Sequence, residues 1–148
     1  MDYKIKYTKE SISELNKALT FYRSKELDLG QRFKKSFEKI KLELKENPKI
    51  FRQVEKNHRR AILSSSFPFT VHYLVNEKTR TVKIIGVFHQ SRNLELVKEQ
   101  IKLRKVHELK HEEALRFEKR KNQLQKLRQR QQELEQDIGR EIGRDLEL

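Results

Sequence analysis

The chain has no cysteine and no tryptophan, a single methionine, two prolines and four glycines. Without thiols, neither a disulfide framework nor a thiolate zinc or iron–sulfur site can form. No apolar run approaches the roughly 20 residues that cross a bilayer. Met1-Asp2-Tyr3-Lys4 opens no apolar signal region, so a cytoplasmic protein without a membrane partner is expected. There is no Gly-rich phosphate loop, and Ser64-Ser65-Ser66 lacks the glycine setting of a nucleophile motif. No motif calls for a cofactor. Core-forming residues are scarce, with 34% hydrophobic against 39% charged over 148 residues. That balance favours a small domain plus an appendage over one globule. Positive charge is what the chain has in excess: 35 Lys and Arg against 22 Asp and Glu, a formal net of +13. Such a surface expects a polyanion or an acidic protein as partner.

The charge and the apolar residues divide the chain near residue 96. Residues 1–96 carry 21 basic and 11 acidic groups, and residues 97–148 carry 14 and 11. Both prolines and seven of the eight phenylalanines lie in the first part. Residues 1–96 are therefore expected to fold without the rest. Tyr3, Ile5 and Tyr7 alternate with lysines, which is the period of a half-buried strand. Thr8 is a candidate N-cap, and Ile12, Leu15, Leu19 and Tyr22 keep helical spacing over residues 9–24. Gly30 fits a turn, and Phe33, Phe37, Ile40 and Leu44 stripe a second helix from about Leu27 to Lys45. Asn47-Pro48 ends it, because proline disfavours helix for its predecessor. Four strand-like stretches follow: Phe51–Val54, Arg60–Leu63, Phe69–Val75 and Val82–Phe88, with Asn76–Thr79 as a hairpin turn. A strand, two helices and a strand meander predict an α+β fold, with the helices on one face of a mostly antiparallel sheet.

Particular residues carry a family resemblance across this first part. They are Phe21-Tyr22, Leu29-Gly30-Gln31-Arg32-Phe33, Asn47-Pro48, Arg59-Arg60, Phe67-Pro68-Phe69, Val71-His72-Tyr73 and Val87-Phe88-His89, with Arg92 beyond. In their order and spacing, residues 1–95 resemble the RelE/ParE toxin superfamily, and within it the ParE-type plasmid stabilisation toxins. The resemblance implies the toxin of a type II toxin–antitoxin module, inhibiting growth and neutralised by a cognate antitoxin. ParE-like members poison DNA gyrase, and RelE-like members cleave mRNA on the ribosome. Gyrase binding is the expected action. A ribosome-dependent endoribonuclease is the alternative, and a non-toxic interaction module working through the C-terminal part is a third. RelE-like nucleases tend to have a His or Tyr near the end of the fold. This chain has His89 there but no tyrosine after it.

RNA cleavage needs a base, an acid and cations around the phosphorane. Arg60, His89 and Arg92 are the catalytic candidates, expected to converge at one end of the sheet. Arg59, His72 and Tyr73 join them as candidates for the toxic surface. The competing reading makes the arginines solvated charges or contacts for an acidic antitoxin. Phe33, Phe37, Phe51, Phe67, Phe69 and Phe88 read as core from their spacing, not as base-stacking platforms.

Residues 97–148 predict a long charged helix. His107-Glu108-Leu109-Lys110-His111 matches the H-E-x-x-H zinc signature, but in so charged a helix it reads as a chance match and no metal is expected. A heptad frame from Leu103 places Leu103, Val106, Phe117, Leu124, Leu127, Leu134, Ile138 and Leu148 on a seam, eight apolar of fourteen positions. That is a leaky coiled coil. Residues 116–130 hold seven basic groups and one acidic; residues 133–148 hold six acidic and two basic. A homodimer of antiparallel tails is the expected use of this pattern, with a last turn weakened by Gly139 and Gly143.

Overall fold

The computed structural model describes residues 2–146. Leu148, the last position of the predicted seam, lies outside them. The elements are β1 (Lys4–Tyr7), α1 (Lys9–Lys25), α2 (Leu27–Glu46), β2 (Arg52–Gln53), β3 (His58–Ile62), β4 (Phe69–Asn76), β5 (Thr81–His89) and α3 (Leu94–Leu146). The chain forms two compact units, one up to Lys105 and one from Val106 on. The boundary expected at residue 96 falls inside α3, and the first turns of that helix belong to the first unit.

Local chemistry explains the helix ends. Thr8 Oγ1 accepts the Ser11 amide at 3.2 Å and the Ser11 hydroxyl donates to the Thr8 carbonyl at 2.9 Å, so this cap is satisfied in both directions. One extended residue, Glu26, separates α1 from α2. Gly30 is not a turn residue. It is buried inside α2. A Cβ there would lie 2.4 Å from Arg23 Cγ and 3.3 Å from Arg23 Cα. The glycine thus sets how closely α2 packs on α1. In the predicted α1 stripe, Leu15, Leu19 and Tyr22 pack against the core, but Ile12 is left exposed.

The sheet order is β1-β5-β4-β3-β2. The meander β2 to β5 is antiparallel, while β1 lies parallel to β5. A register shift at His72/Tyr73 leaves Ile85 as an extra residue on β5. Ile84 stays on the first face, while the neighbours Ile85 and Gly86 both fall on the second. The first face carries Ala61, Val71, Tyr73, Val75, Val82, Ile84 and Val87 and is closed by Ala18, Phe33, Phe37, Ile40 and Leu44 of α1 and α2. The second face is not bare, as helices on one side alone would leave it. Ile85 and Phe88 are covered there by Val97 and Ile101 of α3. The continuous apolar run of β5 is therefore buried on both sides, as such runs in inner strands are. From Val106 on, α3 continues as one helix, through Gly139 and Gly143, to Leu146. No helix among the described residues is long and apolar enough to cross a membrane.

Candidate functional face of the sheet

The strand register decides which predicted site residues can meet. Arg60 of β3 is the partner of His72 on β4, which is in turn the partner of Gly86 on β5. These positions share the second face with Phe88, whose ring lies 5.9 Å from that of His72. The Arg92 guanidinium stands 6.0 Å from the Phe88 ring centre on the same side. Arg60, His72 and Arg92 are thus carried by one face.

The other candidates are not. Arg59 and Tyr73 are register partners on the first face. The Arg59 guanidinium donates to the carbonyls of Lys49 at 3.0 Å and Phe51 at 2.8 Å. The Tyr73 hydroxyl donates to the Pro48 carbonyl at 2.6 Å. Tyr73 is fully buried, and burial raises its pKa. Both side chains anchor the segment after α2; Tyr73 presents nothing to a target. His89 pairs with Phe69, edge to face at 5.1 Å, on the first face as well. Its Nδ1 accepts the Ser91 amide at 3.0 Å and lies 2.7 Å from the Ser91 hydroxyl. The convergence expected of Arg60, His89 and Arg92 does not occur, because alternation along the strands sends His89 to the opposite side.

A residue missed in the sequence completes the second face. His58, on β3, is buried, and its Nε2 lies 2.9 Å from Nδ1 of His72. One ring must donate and the other accept. Burial lowers His58 to about 4, helped by Lys105 and Arg60 and opposed by Glu55. Burial likewise lowers His72 to about 3, with His58, Arg60, Lys105 and Arg104 all repelling its charged form. Both imidazoles are neutral at pH 7. His58 Nδ1 is buried without a hydrogen-bond partner. Only a pairing across β3 and β4 makes His58 notable, and no spacing in the sequence announces that pairing.

The first turns of α3 hold this face together. Arg104 reaches Glu14 of α1 with two hydrogen bonds, 2.9 and 3.3 Å, and donates to the Ile85 carbonyl at 3.0 Å. Glu14 Oε1 also accepts the Val87 amide at 3.1 Å, at the part of β5 that extends past β1. Gly86 makes room for this arrangement. A Cβ there would lie 2.6 Å from Phe88 Cε2 and 2.9 Å from Arg104 Nη1. Lys105 pairs with Glu55 at 2.7 Å, which lowers the carboxyl pKa of Glu55.

Like charges stand side by side on the same face. Arg52 is the register partner of Arg60, and Lys6 of Lys83. Such neighbours add to the positive field of this face. The face can bind an anionic surface. Its two imidazoles are buried and neutral at pH 7, so the charge it presents comes from arginine and lysine. Along α3, His107 and His111 are exposed while Glu108 is buried. No group of three potential metal ligands occurs among the described residues.

A family profile described as "ParE toxin of type II toxin-antitoxin system, parDE" matches residues 5–94. The chain belongs to the ParE toxin family. This ParE-family toxin also aligns with solved RelE structures. The intact E. coli RelBE toxin–antitoxin complex matches at 20% identity over 61% of this chain and 99% of that one, with a TM-score of 0.47. A mutant of E. coli RelE in the free state matches at 22% identity over 69% and 97%, with a TM-score of 0.47. The archaeal RelE–RelB complex from Pyrococcus horikoshii matches at 20% identity over 63% and 100%, with a TM-score of 0.44. No curated protein sequence matches the chain. The family match ends where α3 begins.

Proposed function

We propose that this toxin acts by binding a protein target in the cytoplasm, with DNA gyrase as that target, and that a cognate acidic antitoxin neutralises it. The single observation behind a binding mode is the scattering of the acid–base candidates. His72 is buried and neutral, His89 is tied to Ser91 on the other face, and Tyr73 is in the core. Arg60 and Arg92 are left as the proposed contact residues. The alternative, ribosome-dependent cleavage of mRNA, draws support from Arg60 and Arg92 on one face, since cations of that kind stabilise a phosphorane. Inducible expression separates the readings. Growth arrest with DNA breaks and intact mRNA is expected, together with inhibition of purified gyrase. Loss of mRNA with intact DNA replaces gyrase by the ribosome. No arrest at all leaves the third reading, an interaction module. Arg60→Ala is expected to reduce toxicity while the fold stays stable, as for a surface polar residue. We further infer self-association through α3 from Val106 on, because its apolar stripe is open to solvent.

A further inference from the structure

Phe117, Leu124, Leu127, Leu134, Ile138 and Ile142 of α3 are 55–67% exposed. On a helix with 3.6 residues per turn they lie along one stripe, which a lone helix of this polarity would leave wet. The charges flanking the stripe change sign along it. Arg128 and Arg130 precede Glu135 and Asp137. Their local partners are weak and exposed: Gln131 to Glu135 at 3.5 Å, and Arg140 to Asp137 at 3.7 Å with both side chains 69% exposed. Little is lost if they pair elsewhere.

We propose that this stripe is covered by the same stripe of a second copy, running antiparallel, with Leu127 facing Ile138 of the other chain. The inference rests on the self-association reading above, keeps the antiparallel orientation expected from the charge pattern and adds the register. A parallel pair in register would lay the basic block on itself and the acidic block on itself. An antiparallel pair lays basic on acidic. Charge also chooses between antiparallel registers. With Leu127 on Ile138, the two-fold axis passes between Gln132 and Glu133. Arg128 then flanks Glu135 of the other copy and Arg130 flanks Asp137, twice each by symmetry. In the neighbouring register, with Leu124 on Leu134, Arg128 would meet Arg128 and Arg130 would meet Arg130. Such flanking charges set partner orientation in helix pairs more than they add stability. The chosen seam has polar layers, Gln131 against Leu134 and Leu124 against Glu141. The dimer is accordingly expected to be a micromolar one.

The absence of cysteine makes the test clean. Leu127→Cys and Ile138→Cys chains are mixed in equal amounts at tens of micromolar and oxidised. A mixed disulfide outnumbering both self-disulfides supports the proposal. Dominance of the Leu127→Cys self-disulfide overturns the antiparallel register and leaves self-association standing. Sedimentation of the unmodified full chain as a monomer at that concentration overturns both. Arg128→Glu with Arg130→Glu is expected to weaken the dimer by at least about tenfold. Adding Glu135→Arg and Asp137→Arg is expected to restore it, with circular dichroism confirming the same helix content throughout. Reversal without loss, or loss without rescue, overturns the role given to the charges.

Discussion

The two faces of the sheet are closed by different means. The first face is covered by two amphipathic helices, and its interior is aromatic: Tyr22 packs on Phe33 at 5.2 Å and on Phe67 at 4.9 Å, and Phe33 packs on Phe67 at 5.5 Å. The second face has four buried apolar side chains, two neutral imidazoles and a guanidinium held by Glu14. Apolar area closes the first face with little need for direction. On the second, each buried polar group needs a partner, because an unpaired one costs about 1–3 kcal/mol. A face closed by few apolar groups and several hydrogen bonds is brittle. It is also the face that carries Arg60, His72 and Arg92.

That contrast can be broken at several points. The largest effect is expected from truncation after Leu96, which removes Val97, Ile101 and Arg104 together. A loss of about 5 kcal/mol or more follows from two buried aliphatic side chains and a paired charge. Truncation after Lys105 keeps all three and is expected to retain a cooperative thermal transition. Equal melting of the two truncations would remove the second cluster from the core. Phe33→Ala, on the first face, should cost about 3–5 kcal/mol in urea unfolding. A cost below that of Ile101→Ala would reverse the ranking of the faces.

Gly86→Ala comes next, at about 1–3 kcal/mol, since its Cβ would push on Phe88, Arg104 and Ile101. Pairing it with Arg104→Ala should recover part of that cost; full additivity would mean that the two sites do not touch. The effect that is smallest at neutral pH is electrostatic, and it grows only on acidification. His58 and His72 have folded pKa values near 4 and 3, below the usual 6.5. The unfolded chain then binds more protons, so stability rises with pH between about 4 and 6.5 and levels off above that. Each histidine adds at most about 1.4 kcal/mol per pH unit in that window. His58→Leu with His72→Leu should flatten the slope measured by thermal unfolding. An unchanged slope would place its origin in the carboxylates.

Much of the fold was legible because it follows from local period. The α2 stripe at Phe33, Phe37, Ile40 and Leu44 is buried as its spacing implies. The alternation of Phe69, Val71, Tyr73 and Val75 became β4, with those side chains on the face covered by α1 and α2. The site was much less legible. Arg60 and His89 are both plausible by type, yet pleat and register put them on opposite faces. His58 carries no signature of its own and becomes part of a pair only when β3 lies beside β4.

Composition and period by themselves determined an α+β body, a long charged helix after it, and the lack of any thiol or phosphate-loop chemistry. These depend on residue type and spacing within one segment, which is all that helix and strand preferences sense. Tertiary structure alone decided that α3 begins as part of the body, that Gly30 and Gly86 are points of close approach, and that two histidines share a buried contact. Apart from the Gly30 contact, which is with nearby Arg23, these join residues well separated in the chain: Arg104 meets Glu14 across 90 positions, and His72 meets His58 across 14. Partners at such separations are chosen by which faces remain to be covered once the sheet has formed, and that choice is not written in any single stretch of residues.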